Sequence, residues 1–102
     1  MNNIISSKAK ISNNVRFGNF VTVYDDVEIG DNSTIESYCE IGYSNGREKM
    51  PLKIGENAKI RSHSIIYQGS IIGNNLMTGH HVVIRENMQI GDGFQAGVGS
   101  VI

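Results

Sequence analysis

An aliphatic residue returns every six positions along this chain. From Ile5 the slots hold Ile11, Phe17, Val23, Ile29, Ile35 and Ile41. After an interruption they resume at Ile54 and run through Ile60, Ile66, Ile72, Thr78, Ile84, Ile90 and Ala96 to Ile102. Only Phe17, Thr78 and Ala96 depart from Ile or Val. An amphipathic helix needs a period near 3.6, so a period of six excludes it. The rhythm fits short strands of alternating inward and outward residues, joined by tight turns. An internal repeat of this kind decides the whole architecture.

The positions between the slots agree. Gly follows the slot at Gly18, Gly30, Gly42, Gly55, Gly73, Gly79, Gly91 and Gly97. Three places after the slot stand residues that tolerate a left-handed backbone, among them Asn14, Asp26, Asn32, Asn57, Gly69, Asn75, Asn87 and Gly93. Four places after it the residue is small or β-branched, as at Ala9, Val15, Ser33, Ala58, Ser64, Ser70 and Val82. Three such units close a triangular coil, so residues one coil apart stack about 4.8 Å from each other. The chain resembles the hexapeptide-repeat proteins over nearly its whole length. That resemblance implies an all-β fold, a left-handed parallel β-helix of about five coils. Its crossover hand is an exception to the usual right-handed rule.

The three faces are labelled A, B and C, with the units at Ile54, Ile60 and Ile66 as their first members after the interruption. Counted back across the extra residues, Ile41 falls on face C, Ile35 on face B and Ile29 on face A. Residues 42–53 then form a loop inserted at the corner from C to A, rich in charge and holding the only proline. A surface loop and a loop that reaches a neighbouring subunit both fit it. Residues 1–102 read as one β-helix domain. The chain stops at the start of a new C-face unit with no polar cap, so a longer solenoid, or an end covered by another chain, is expected.

A formal net charge of −1 makes no electrostatic case for a nucleic-acid partner. No apolar run approaches the roughly 20 residues of a membrane span. The first residues lack the build of a signal peptide, so the cytoplasm is the expected compartment. The single Cys39 falls on an inward slot and reads as a small core residue.

The corners are not alike. The A-to-B corner carries the turn residues Asn14, Asn32, Asn57, Asn75 and Gly93, whereas the B-to-C corner carries Phe20, Tyr38, His63, His81 and Gly99. Four rings aligned on one edge, at a backbone position that costs bulky residues some strain, either shield that corner or mark it as an edge that faces a ligand, another subunit or both. Near it, Thr78 and Ala96 are small where Ile is expected, while Leu76 and Phe94 are large where small residues are expected. Each pair exchanges volume and conserves packing.

His80 and His81 occupy the B-to-C turn, with Ser62 one coil before His80, His63 one coil before His81, and Val98 one coil after His80. The segment from Ile66-Tyr-Gln-Gly through Thr-Gly-His80-His-Val-Val-Ile-Arg-Glu-Asn to Ile90-Gly-Asp-Gly resembles the hexapeptide acyltransferases, the sugar O- and N-acetyltransferases that use acetyl-CoA in particular. The resemblance implies His80 as catalytic base, the Val98 backbone N–H as oxyanion donor, and Gly97, Val98 and Gly99 along the path of coenzyme A. It implies a sugar or nucleotide-sugar acceptor, a homotrimer with sites between subunits, and no metal. The chemistry is coherent. An acceptor hydroxyl or amine loses a proton as it attacks a thioester, imidazole is suited to take it near neutral pH, and the oxyanion needs a fixed donor. Many relatives follow this histidine with an acidic residue that orients it. Here His81 follows, and Ser62 or a backbone carbonyl is left to do so; His81 itself is a second candidate base. On the same analogy, Arg47 and Lys49 of the inserted loop are candidates to meet phosphates.

Two other classes compete. A non-catalytic structural β-helix would share the repeat without the site. A γ-carbonic-anhydrase-like metal protein would need three converging histidines, two of them five residues apart. His63, His80 and His81 lack that spacing.

Overall fold

The computed structural model describes residues 2–44, 46 and 48–102. Each inward slot from Ile5 to Ala96 lies on a strand of two to four residues, too short to stand alone and stabilised by neighbouring coils. In chain order they are β1 (Ile4–Ile5), β2 (Lys10–Ile11), β3 (Arg16–Phe17), β4 (Thr22–Val23) and β5 (Val27–Ile29). There follow β6 (Thr34–Ile35), β7 (Glu40–Tyr43), β8 (Leu52–Ile54), β9 (Lys59–Ile60) and β10 (Ile65–Tyr67). The last are β11 (Ile71–Ile72), β12 (Met77–Thr78), β13 (Val83–Ile84), β14 (Gln89–Ile90) and β15 (Gln95–Ala96).

Every third strand joins the same sheet. Face A is β2-β5-β8-β11-β14, face B is β3-β6-β9-β12-β15 and face C is β1-β4-β7-β10-β13. All pairings are parallel. The result is a left-handed parallel β-helix of three five-stranded sheets. The register expected across the interruption holds: Ile41 pairs with Ile66 and Ile29 with Ile54. The inward residues form one core column, with Ile35, Ile41, Ile60, Ile66 and Ile84 at 0% exposure. Burying each such side chain contributes roughly 1.5–3 kcal/mol.

The turns explain the remaining slots. Asn14, Asn32, Asn57, Asn75 and Asn87 all have φ near +60°, as do Phe20, Tyr38, His63 and His81. The buried serines four places after the inward slot serve the backbone. Ser33 Oγ donates to the Gly30 carbonyl and accepts from Ala58 N–H. Ser64 does the same between Gly79 and Val82, and Ser70 between Arg85 and Met88. A buried hydroxyl needs such partners, and no described buried side chain lacks one.

The inserted loop is narrower than 42–53. β7 continues through Gly42 and Tyr43, and β8 takes up at the fully buried Leu52. The physical reason is a bulge. Gly42 sits at φ +91°, where a Cβ would collide with Val27 Cγ2, and the shift in register pairs Tyr43 with Tyr67. The described part of the loop lies back on its own corner. Gln68 donates to the Glu48 carbonyl at 2.7 Å, Gly69 N–H to Pro51 at 2.9 Å, and Lys49 pairs with Asp25 at 2.9 Å. Leu76 is buried and Phe94 half-buried, as the volume exchange requires. Thr78 does more than save space: its hydroxyl accepts Arg61 N–H at 3.1 Å.

Candidate active site

The B-to-C corner stacks as the sequence suggests. Phe20 and Tyr38 lie 5.3 Å apart between ring centroids, Tyr38 and His63 4.9 Å, and His63 and His81 4.8 Å, with interplanar angles of 15°, 18° and 22°. These spacings are the coil repeat itself, so the solenoid sets the stack and the rings ride on it. Position 99 continues the column with Gly, at φ +76° and with open space where a Cβ would stand.

One place before this column runs the row Ser62, His80 and Val98. Ser62 Oγ lies 2.8 Å from His80 Nδ1 and 3.1 Å from His63 Nδ1. A hydroxyl has one proton, so it donates to one of these imidazoles and accepts from the other. Ser62 is itself held from below. Its backbone N–H donates to Glu36 Oε1 at 3.1 Å, while Glu36 Oε2 takes Arg61 Nη1 at 2.9 Å. Sequence reasoning named Ser62 but missed Glu36 and the second role of His63. The only trace of Glu36 in the sequence is its place: one coil before Arg61, in a slot where Gly is usual.

Above His80 the coil of Gly97, Val98 and Gly99 comes close. Gly99 N–H donates to the His80 carbonyl at 3.0 Å. A Cβ on Gly79 would meet Val98 N at 2.7 Å and Val98 Cγ2 at 2.8 Å, so only Gly at 79 allows this approach. At comparable corners the backbone N–H is capped by a side-chain oxygen of the next coil: Asn13 by Asp31, Asn19 by Ser37, Glu56 by Asn74 and Asn74 by Asp92. Val98 offers His80 no such oxygen. Among the described residues neither the His80 nor the Val98 N–H has a protein acceptor, and Val98 is 71% exposed.

His80, Ser62 and the turn of Gly97, Val98 and Gly99 are thus brought together. His81 is not part of this group; its ring caps the stack on His63. Lys49 is committed to Asp25, whose carboxyl is held below its ordinary range first by the Ser6 hydroxyl and then by Lys49. Arg47 lies outside the described residues. Cys39 is buried, its thiol pushed up to about 11 mainly by burial. Among the described residues no three His, Cys, Asp or Glu side chains are arranged to share a metal ion. A larger hollow, about 610 Å³, lies on face A between Lys10, Glu28 and Lys53, with no histidine on its rim.

The profile of the bacterial transferase hexapeptide family, built of six repeats, matches residues 8–43 and 51–86. The chain belongs to this family. Both matched stretches end or begin at the inserted loop, so the family's repeat accounts for the coils and leaves the loop aside. An acyl-[acyl-carrier-protein]–UDP-N-acetylglucosamine O-acyltransferase from Campylobacter concisus is 30% identical over 66 residues. That match covers 65% of the chain and 25% of the relative, so the chain spans about a quarter of the length of the curated relative it matches. A crystal structure of a mutant of AntD, an N-acyltransferase from Bacillus cereus, in complex with dTDP and coenzyme A, superposes with a TM-score of 0.52. It is 26% identical, covering 99% of this chain and 70% of that one. The UDP-N-acetylglucosamine O-acyltransferase LpxA of Moraxella catarrhalis shares the fold, with a TM-score of 0.50, at 18% identity and 98% and 65% coverage.

Proposed function

We propose that this protein is an acyltransferase. It moves an acetyl group from acetyl-CoA to a hydroxyl or amine of a sugar or nucleotide-sugar, by direct transfer. The observation that carries this reading is the His80 imidazole, held through Nδ1 by Ser62 directly beneath the turn of Gly97, Val98 and Gly99. In the productive arrangement His80 Nδ1–H donates to Ser62 Oγ, and Ser62 donates onward to His63 Nδ1. That leaves His80 Nε2 as the proton acceptor. The acceptor oxygen or nitrogen attacks the thioester carbonyl and gives its proton to Nε2. The Val98 N–H, which has no acceptor among the described residues, receives the developing oxyanion. The C–S bond then breaks, and the departing thiolate takes the proton back from His80, releasing coenzyme A and the acetylated product. No covalent enzyme intermediate is involved.

The company the chain keeps supports the reading: AntD is an N-acyltransferase seen with coenzyme A, and the Campylobacter relative is an O-acyltransferase. The second uses an acyl-carrier protein as donor, so the donor is a point for test. We place the site at a subunit boundary of a homotrimer, where a neighbour would close the open B-to-C edge. Calorimetric titration of acetyl-CoA into the protein, with mass by light scattering on the same sample, tests the donor and the assembly together. Saturable binding by a trimer is expected. A folded trimer that ignores acetyl-CoA would remove acetyl-CoA as the donor.

A further inference from the structure

Beneath Ser62, toward the N-terminal coils, the outer surface of face B is hollowed. One hollow of about 340 Å³ runs from Arg16 past Thr34 and Glu36 to Ser62. A second, about 210 Å³, shares Arg16, Thr34 and Glu36 and adds Lys59 and Arg61. The two hollows adjoin at Arg16, Thr34 and Glu36 and are taken together as one trough, whose upper end is the serine bonded to His80. Its floor is a register column, Arg16 beside Thr34 and Thr34 beside Lys59. The column loses its charge from the level of His80 onward, where Met77 and then, one coil further, Gln95 continue it.

The trough is cationic. Arg16, Lys59 and Arg61 against Glu36 leave three positive charges minus one negative, a balance of +2. Among the described residues neither Arg16 nor Lys59 has a carboxylate partner, while Arg61 gives one nitrogen to Glu36 and keeps further donors. We infer that this trough binds a pyrophosphate, that of a nucleotide-linked acceptor sugar. A pyrophosphate diester matches the charge, and guanidinium groups match phosphate geometry. The spacing also matches. Lys59 and Arg61 lie one coil below His80, Thr34 two and Arg16 three, or about 5, 10 and 14 Å. A sugar ring fills the first step, which brings the pyrophosphate over Thr34, between Lys59 and Arg61 on one side and Arg16 on the other. The inference rests on the proposed site at His80. It also separates the two substrates, since coenzyme A would approach over Gly97 and Gly99 from the opposite end. CoA carries a pyrophosphate too, so the test must tell the two sources apart.

The probes are dTDP and CoA, each titrated at low salt into the wild-type protein, into the double variant Arg16→Ala/Lys59→Ala, and into Arg16→Lys/Lys59→Arg. The alanine variant should weaken dTDP at least about tenfold, since two charge-assisted contacts are removed. It should leave the Kd for CoA unchanged, and the charge-conserving variant should recover dTDP binding. Unaltered melting temperatures show that the exposed substitutions leave the fold alone. Three results would overturn the inference: no dTDP binding to wild type, equal dTDP affinity in the alanine variant, or a loss for CoA as large as that for dTDP. A His80→Ala variant run alongside should bind dTDP as wild type does while losing turnover. If it loses turnover while the trough variants keep dTDP, the acyltransferase reading stands and the trough assignment alone fails.

Discussion

Replacing Ser62 by Ala removes one oxygen and leaves two imidazoles without a partner at Nδ1, His80 at 2.8 Å and His63 at 3.1 Å. The Ser62 backbone bond to Glu36 survives, so the turn keeps its place. Both rings are exposed, water can replace the lost bonds, and stability should fall by less than about 1 kcal/mol. The rate should respond more. On the proposed mechanism His80 becomes cationic as it takes the acceptor proton, and a hydrogen bond to a charged group is worth about 1.5–3 kcal/mol. Water competes at an exposed site, so the lower part of that range applies, about ten- to thirtyfold in kcat. The KM for acetyl-CoA should hardly move, because Ser62 lies on the far side of His80 from Gly97 and Gly99. Ser62→Thr keeps the hydroxyl and should recover most of the rate. The assay is release of coenzyme A followed with Ellman's reagent. An unchanged kcat in Ser62→Ala, or a loss confined to KM, would refute the positioning role.

That assay carries its own prediction. Cys39 is fully buried, with a thiol pushed up to about 11, so the native protein should give no reaction with the reagent at pH 8 and one thiol per chain once unfolded. Gly79→Ala should force the Val98 turn away from His80, since the new methyl meets a backbone nitrogen at 2.7 Å; a stability loss of about 1–3 kcal/mol in a thermal melt, together with reduced turnover, is expected. Tyr24 is pushed up to about 12 by burial first and then by its bond to Glu40. A raised folded pKa adds stability that is present below the unfolded value near 10 and lost as pH climbs toward 12. Alkaline melts should therefore fall more steeply for wild type than for Tyr24→Phe across that window.

The coils were legible because each one makes the same demand. An inward aliphatic, a left-handed residue three places on and a small residue after it recur often enough to fix face and register, even across the interruption that pairs Ile41 with Ile66. The ring column was legible for the same reason. What escaped was whatever does not repeat. The loop's return to its own corner depends on single pairings, Lys49 with Asp25 and Gln68 with Glu48, which no period encodes. The bulge at Gly42 moves Tyr43 one place, so that Tyr24, Tyr43, Tyr67 and Arg85 form a second column of edge-packed rings and a cation over a ring. The uninterrupted count hides that column. At the site, His80 and Ser62 were visible as neighbours one coil apart. The Glu36 carboxylate beneath them was not, because its two bonds reach across the inserted residues to Arg61 and Ser62.

The central claim is that His80 takes the acceptor proton. The most direct test is the single-turnover rate of acetyl transfer by wild type and His80→Ala, at saturating acetyl-CoA and acceptor, with binding of both confirmed for the variant. The account predicts intact binding and a rate reduced by roughly 10²- to 10⁴-fold. A variant that binds both substrates and transfers acetyl at the wild-type rate would contradict it.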